Sequence, residues 1–149
     1  IEVVVHPQSI VHSMVEMVDG SILAQLSPPS MSFALQHCLF HPERAGGIEP
    51  SLDFSRALSL DFAPPDLGKF PCLRLAMEAL EAGGTAPGVF NAANEVAVDR
   101  FLAREIPFTG IPALIDKTLN QGIATRVETL EDLLACEAEA RRIAKSTAA

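Results

Sequence analysis

Four histidines carry the first chemical question: His6, His12, His37 and His41. Neutral imidazole is a common metal ligand and a general acid or base near neutral pH. A catalytic metal site commonly takes three protein ligands in defined geometry. His37 and His41 stand four apart, so on a helix they share a face. No HExxH pattern is present, and no carboxylate lies between these two histidines. A metal site built from all four would require a fold that the spacing does not dictate. A hydrogen-bonding role for His12 is the simpler expectation, and His6, beside Pro7, reads as structural.

The other candidates are weaker. Glu78 and Glu81, Glu131 and Asp132, and Glu137 and Glu139 read as solvated helix faces, with Glu137 four residues before Arg141. In the stretch NAANE, residues 91–95, Asn91, Asn94 and Glu95 can meet on one helix face. That stretch reads first as interhelical hydrogen bonding among small alanines, and second as a ligand contact. There is no GxGxxG, no phosphate loop and no GxSxG. Cys38, Cys72 and Cys136 are odd in number and unpaired in spacing, which predicts reduced, buried thiols in a cytosolic protein.

Elements must position these groups. Val3-Val4-Val5 reads as a strand buried on both faces, stopped at Pro7. Asp19-Gly20 is a strong hairpin signal. A two-residue turn would pair Val18 with Ser21 and Met17 with Ile22. One face would then carry Ser13, Val15, Met17, Ile22, Ala24 and Leu26, packed on helices. The other would carry His12, Met14, Glu16, Leu23, Gln25 and Ser27, facing a cleft, an interface or solvent. Ser30 is placed to cap a helix starting near Met31, and His41-Pro42 stops it. LSLDFAPPD, residues 58–66, reads as a short strand returning to the first sheet.

The period then becomes helical. PCLRLAMEALEAG has Pro71 at the first helical position and Gly83 past the end, with Leu73, Ala76, Met77 and Leu80 as its apolar stripe. VFNAANEVAVDRFLARE turns Val89, Ala92, Ala93, Val96, Ala97 and Leu102 to one broad face. IPALIDKTLNQG is a third helix, and a fourth starts at Thr129 with Asp132 completing a capping box. The expected fold class is α+β: a small mixed or antiparallel sheet with a packed helix, then a C-terminal four-helix bundle. The expected divisions are 1–45 as the sheet portion, 46–70 as a connecting segment, and 71–149 as the helical domain.

Bulk properties narrow the function classes. The 149 residues fit one domain or a domain plus a fragment, and 48% are hydrophobic, enough for a packed core. A net charge of -8, with no Tyr and no Trp, argues against nucleic-acid binding. No apolar run reaches the roughly 20 residues that span a bilayer, so no membrane partner is expected. Ile1 opens directly into a β-branched run without a signal-peptide pattern. That beginning reads as a chain cut in mid-fold, by design or by proteolysis.

The ordered series IEVVVHPQSIVHSMVEMVDGSILAQLSPPSM, LDFAPPD, FPCLRLAMEAL and FNAANEVAVDRFL resembles the C-terminal part of the 1-deoxy-D-xylulose 5-phosphate reductoisomerase family, over essentially the whole chain. The resemblance implies conversion of 1-deoxy-D-xylulose 5-phosphate to 2-C-methyl-D-erythritol 4-phosphate in the non-mevalonate isoprenoid route. It implies NADPH, a divalent cation (manganese, magnesium or cobalt), a homodimer and a bacterial cytoplasmic setting. The cofactor fingerprint, the metal carboxylates, the phosphate-binding serines and the mobile lid would all precede Ile1. The chain is therefore expected to be inactive alone and to bind no cofactor by itself, with no metal ligand among its residues. His12 would support the hydrogen-bond network near the substrate. Pro29 and Met31 would lie against the nicotinamide and substrate, excluding water from the hydride path. The loop departs from the family pattern at Ser27-Pro28-Pro29-Ser30, where an acidic residue often precedes the methionine. Two other classes compete: an interaction module that only dimerises or binds a partner, and a metal-binding protein using the four histidines.

Overall fold

A computed structural model describes residues 1–148, which divide into two compact units: Ile1–Pro65, and Asp66 onward. The first unit holds β1 (Val11–Glu16), β2 (Ile22–Leu26) and α1 (Ser32–Phe40). The second holds α2 (Pro71–Ala82), α3 (Ala86–Leu102), α4 (Gly110–Leu119) and α5 (Leu130–Ser146). The fold class is α+β, with a two-stranded antiparallel sheet and five helices among the described residues.

The hairpin forms where Asp19-Gly20 predicts it, but its register is shifted by one residue. The Gly20 amide donates to the Met17 carbonyl at 2.9 Å, and the Met17 amide donates to the Ser21 carbonyl at 2.8 Å. The connection is thus three residues long, with Gly20 at φ +82°, a conformation glycine adopts without a Cβ penalty. The Asp19 carboxylate accepts from the Ser21 amide and hydroxyl at 2.9 and 2.6 Å. These bonds hold the carboxyl of Asp19 below its ordinary range, the Ser21 hydroxyl contributing most. Glu16 consequently opposes Ile22, Val15 opposes Leu23, Met14 opposes Ala24, and Ser13 opposes Gln25. From Ser13 to Glu16, each β1 residue meets a β2 residue expected on the other face, because strand side chains alternate with period two.

No helix covers either face within this unit. Val15 is 60% exposed and Leu23 is 64% exposed, so the expected packing of one apolar face on helices is corrected. The Val3–Val5 run is also exposed, and it forms no strand beyond a single antiparallel bridge between Val5 and Ala63. That bridge is the whole of the expected return of residues 58–66, and it does not join β1 or β2. A chain segment becomes a strand only where a ladder continues, and here two hydrogen bonds, at 2.8 and 3.0 Å, complete the pairing.

The core lies in the helical unit. All buried apolar side chains among the described residues belong to it, from Leu75 to Ala144. Helix α3 touches α2, α4 and α5, α4 also meets α2 and α5, and α2 and α5 share no contact. Alanine makes this possible: Ala92, Ala93 and Ala97 on α3 and Ala140 and Ala144 on α5 are fully buried, so the backbones approach closely. Leu114 and Ile115 of α4 fill the space beside them.

The stripe of α2 rotates relative to expectation, whereas α3 buries Val89, Ala92, Ala93, Val96 and Ala97 as expected and differs only at its ends. On α2, Leu75 and Ala79 are buried while Leu80 is 58% exposed. On α3, Ala86 joins the buried face and Leu102 is 71% exposed, because the helix ends there. Helix α5 begins as expected: Thr129 accepts from the Asp132 amide at 3.2 Å, and Asp132 accepts from the Thr129 amide at 2.9 Å. The expected burial of the thiols holds for one of the three. Cys136 is buried, Cys72 is half-buried and Cys38 is exposed on α1. All three are free.

Candidate functional site

The first unit contains an open cleft walled by the end of β2, the loop after it, α1 and the 43–54 segment. His12, Pro29 and Met31 all line it. The wall is mainly apolar, with Leu26, Pro28, Phe33 and Phe54 beside them, and Arg44 and Glu43 at the 43–54 side.

His12 reaches this wall through a backbone irregularity. The ladder register shifts between Val11 and Ser13, so His12 is the extra residue of a bulge. A bulge re-aims a side chain that regular pleating would hold square to the sheet. The His12 Nε2 lies 3.2 Å from the Ser27 carbonyl oxygen. An acceptor there requires the proton on Nε2, leaving Nδ1 as the acceptor in the neutral ring. Ser27 is the buried residue at this joint, and its amide donates to the Ile10 carbonyl at 3.1 Å.

The loop that carries Pro29 and Met31 starts at this pin. Pro28 and Pro29 have no amide to donate and have fixed φ, so the loop is stiff where the ladder stops. Met31 is the N-cap residue of α1, in helical conformation, without a side-chain cap bond. The expected capping by Ser30 is present: its hydroxyl accepts from the Ser32 amide at 3.2 Å, two residues on, although the regular helix begins at Ser32. Met31 itself is 70% exposed, its thioether available to a flat apolar ring.

The remaining histidines do not join His12. His6 stacks on Phe62 with ring centroids 4.7 Å apart, and its Nδ1 lies 2.8 Å from the Asp61 carbonyl oxygen. Gln8 exchanges hydrogen bonds with Asp61 through its side-chain amide. This cluster ties residues 6–8 to residues 61–62. His37 and His41 pack edge to face at 5.6 Å, as their spacing predicts. Among the described residues, no group of three His, Cys, Asp or Glu side chains is placed to hold a metal ion. The residues at hand therefore do not fit a metal site, and no step is derived through one. For a nicotinamide ring, the apolar wall of Pro29 and Met31 is a fitting surface.

The NAANE stretch resolves into a link between helices. Asn91 Nδ2 donates to Glu95 Oε1 at 3.0 Å, and Arg141 of α5 donates to Glu95 Oε2 at 2.5 Å and to Glu137 Oε1 at 2.7 Å. The Arg141 hydrogen bond, then that of Asn91, holds the Glu95 carboxyl below its ordinary range. The expected i,i+4 pair of Glu137 and Arg141 is present. Two features escaped sequence reasoning. One is the His12 bulge, for which no turn residue signals. The other is Glu49, a loop carboxylate that reaches two serines at the start of α1.

Residues 26–143 match the family model for the DXP reductoisomerase C-terminal domain. The chain belongs to this family. It is 56% identical over 147 residues to the 1-deoxy-D-xylulose 5-phosphate reductoisomerase of Nitrosospira multiformis, covering 97% of this chain and 37% of that protein. The chain thus spans little more than a third of the length of such relatives. It is similar to the solved structure of the Zymomonas mobilis reductoisomerase in complex with NADPH, with 46% identity and a TM-score of 0.89. That likeness covers 97% of this chain and 38% of that one. A reductoisomerase solved with NADPH, fosmidomycin and magnesium is 41% identical, with a TM-score of 0.83, over 96% of this chain and 37% of its own. Among the described residues, no helix is long and apolar enough to cross a membrane.

Proposed function

We propose that these residues are the C-terminal part of an NADPH- and divalent-metal-dependent reductoisomerase that converts 1-deoxy-D-xylulose 5-phosphate to 2-C-methyl-D-erythritol 4-phosphate, a step of non-mevalonate isoprenoid synthesis in the bacterial cytoplasm. The observation that carries this reading is the apolar cleft wall of Pro29 and Met31, in a chain 46% identical to a reductoisomerase solved with NADPH. NADPH, when bound, supplies a hydride. Pro29 and Met31 would pack against the nicotinamide side and keep water from the hydride path. His12 would orient the adjoining hydrogen-bond network from its bulge. The carboxylates for magnesium, manganese or cobalt would come from outside these residues. We read 1–45 as catalytic-domain strands and helix, 46–70 as a connector, and 71–149 as a helical bundle centred on α3. The exposed apolar residues on both hairpin faces support a homodimer, because a two-stranded sheet is marginal without a third layer.

The test is NADPH consumption with 1-deoxy-D-xylulose 5-phosphate and manganese. The 149-residue chain is compared with a polypeptide in which the N-terminal portion carried by the relatives precedes it. Turnover only by the longer polypeptide is the expected result. Turnover by the 149 residues alone would mean that carboxylates assigned here to solvent hold the metal. No turnover by either would remove the enzymatic reading.

A further inference from the structure

The Pro29–Met31 wall is pinned at two ends. At its start, His12 and the Ser27 amide bind it to the hairpin. At its far end stands Glu49, a half-buried residue 17 to 19 positions along the chain from its partners. One carboxylate oxygen, Oε1, accepts from the Ser30 hydroxyl at 3.2 Å and from the Ser32 hydroxyl at 3.1 Å. The Ser30 hydroxyl in turn accepts from the Ser32 amide at 3.2 Å. The three groups close a ring around Met31, the residue between the two serines.

The segment that delivers Glu49 is itself anchored. Gln36, one turn into α1, donates through Nε2 to the Ala45 and Gly46 carbonyls at 3.1 and 2.7 Å. Gly46 and Gly47 give that segment little stiffness of its own, so the side-chain clasp sets its path. Helix α1 has no buried residue, and the Ser30 hydroxyl on the Ser32 amide is the one side-chain cap at its start. The hydrogen bonds to Glu49 reinforce that cap by holding both serine hydroxyls.

We propose that Glu49 is a positioning residue for the hydride site: it holds Met31, and with it Pro29, at the cleft wall through Ser30 and Ser32. The proposal rests on the reading of that wall as the nicotinamide side. Glu49 touches neither substrate nor cofactor in this assignment. What it supplies is an acceptor oxygen shared by two hydroxyl donors, so a neutral amide oxygen can serve in its place.

That requirement sets the test. In the 149-residue chain, amide hydrogen exchange at Met31, Ser32 and Phe33 is measured for the native protein, E49Q, E49L and the S30A/S32A double variant. E49L and the double variant are expected to exchange roughly tenfold faster at these amides, and E49Q to stay within about threefold. Unchanged exchange in E49L, or equal acceleration in E49Q, would overturn the proposal. In the longer polypeptide, kcat for NADPH oxidation is expected to fall roughly tenfold in E49L and to be retained in E49Q, with the thermal midpoint of both near native. An unchanged kcat in E49L would overturn the role at the hydride site. Lack of turnover in the native longer polypeptide would sink the functional reading, and the exchange comparison would still decide whether Glu49 holds the wall.

Discussion

At the scale of single residues, backbone conformation and chemistry separate cleanly. Gly84 sits at φ +56°, and a Cβ there would lie 2.2 Å from the Thr125 carbonyl oxygen. That contact is backbone, in a junction where Thr85 donates its amide to Thr125 and accepts the Thr125 amide on its hydroxyl, each at 2.8 Å. Gly122 has a similar φ of +68° but open space around it. G84A is therefore expected to cost about 2–4 kcal/mol, and G122A only about 1 kcal/mol for the left-handed backbone. Chemical denaturation of the two variants checks the difference. At the cleft, Met31→Ser replaces an apolar wall with a hydrated one. In the longer polypeptide, it is expected to raise KM for NADPH several-fold with little change in thermal midpoint, measured by steady-state kinetics.

At the scale of elements, ends matter more than interiors. Helix α5 is rich in charge and starts with a complete capping box, so Thr129→Ala should cost about 1 kcal/mol. The Asp132 carboxyl is held below its usual 3.8, first by the Thr129 hydroxyl, then by the Thr129 and Glu128 amides. Its folded pKa lies below the unfolded one, so its stabilisation is present above about pH 4 and is lost as pH falls through the folded value. T129A should weaken that acid dependence, which helical circular dichroism across pH 2 to 5 would follow. The hairpin shows the opposite sensitivity. Asp19-Gly20 signals a turn, yet a three-residue rather than a two-residue connection moves Ile22 from Met17 to Glu16 and exchanges the partners on both faces.

At the scale of the whole molecule, burial is confined to one of the two units. The residues from Asp66 onward hold the entire apolar core described, while the hairpin exposes apolar side chains on both sides. Leu114 is fully buried in the helical unit, and Leu114→Ala should cost about 2–5 kcal/mol, read from the denaturant midpoint. Ile22→Ala is expected to change that midpoint by less than about 0.5 kcal/mol, since Ile22 is 59% exposed. Hydrogen exchange of the 149-residue chain should likewise show protected amides in α3 and rapid exchange in β1 and β2. Protection of the hairpin that rises with protein concentration would point to pairing between copies.

The sequence alone determined what local chemistry controls. Pro71, Gly83 and the Thr129–Asp132 box mark helix ends because capping and φ preferences act within a few residues. The motif order from HPQSIVHSMVE to NAANEVAV carried the family. Tertiary structure decided whatever depended on partners distant in the chain. The stripe of α2 turned to Leu75 and Ala79 because α3 and α4 lie on that side, and hydropathy cannot report a neighbour's position. Cys38 and the β1–β2 faces stayed exposed because apolar character makes burial favourable but does not provide the surface that buries it. His12 reached Ser27 through a bulge, and Glu49 reached Ser30 and Ser32 across a loop, because a hydrogen bond follows spatial proximity, which residue spacing encodes only along a regular element.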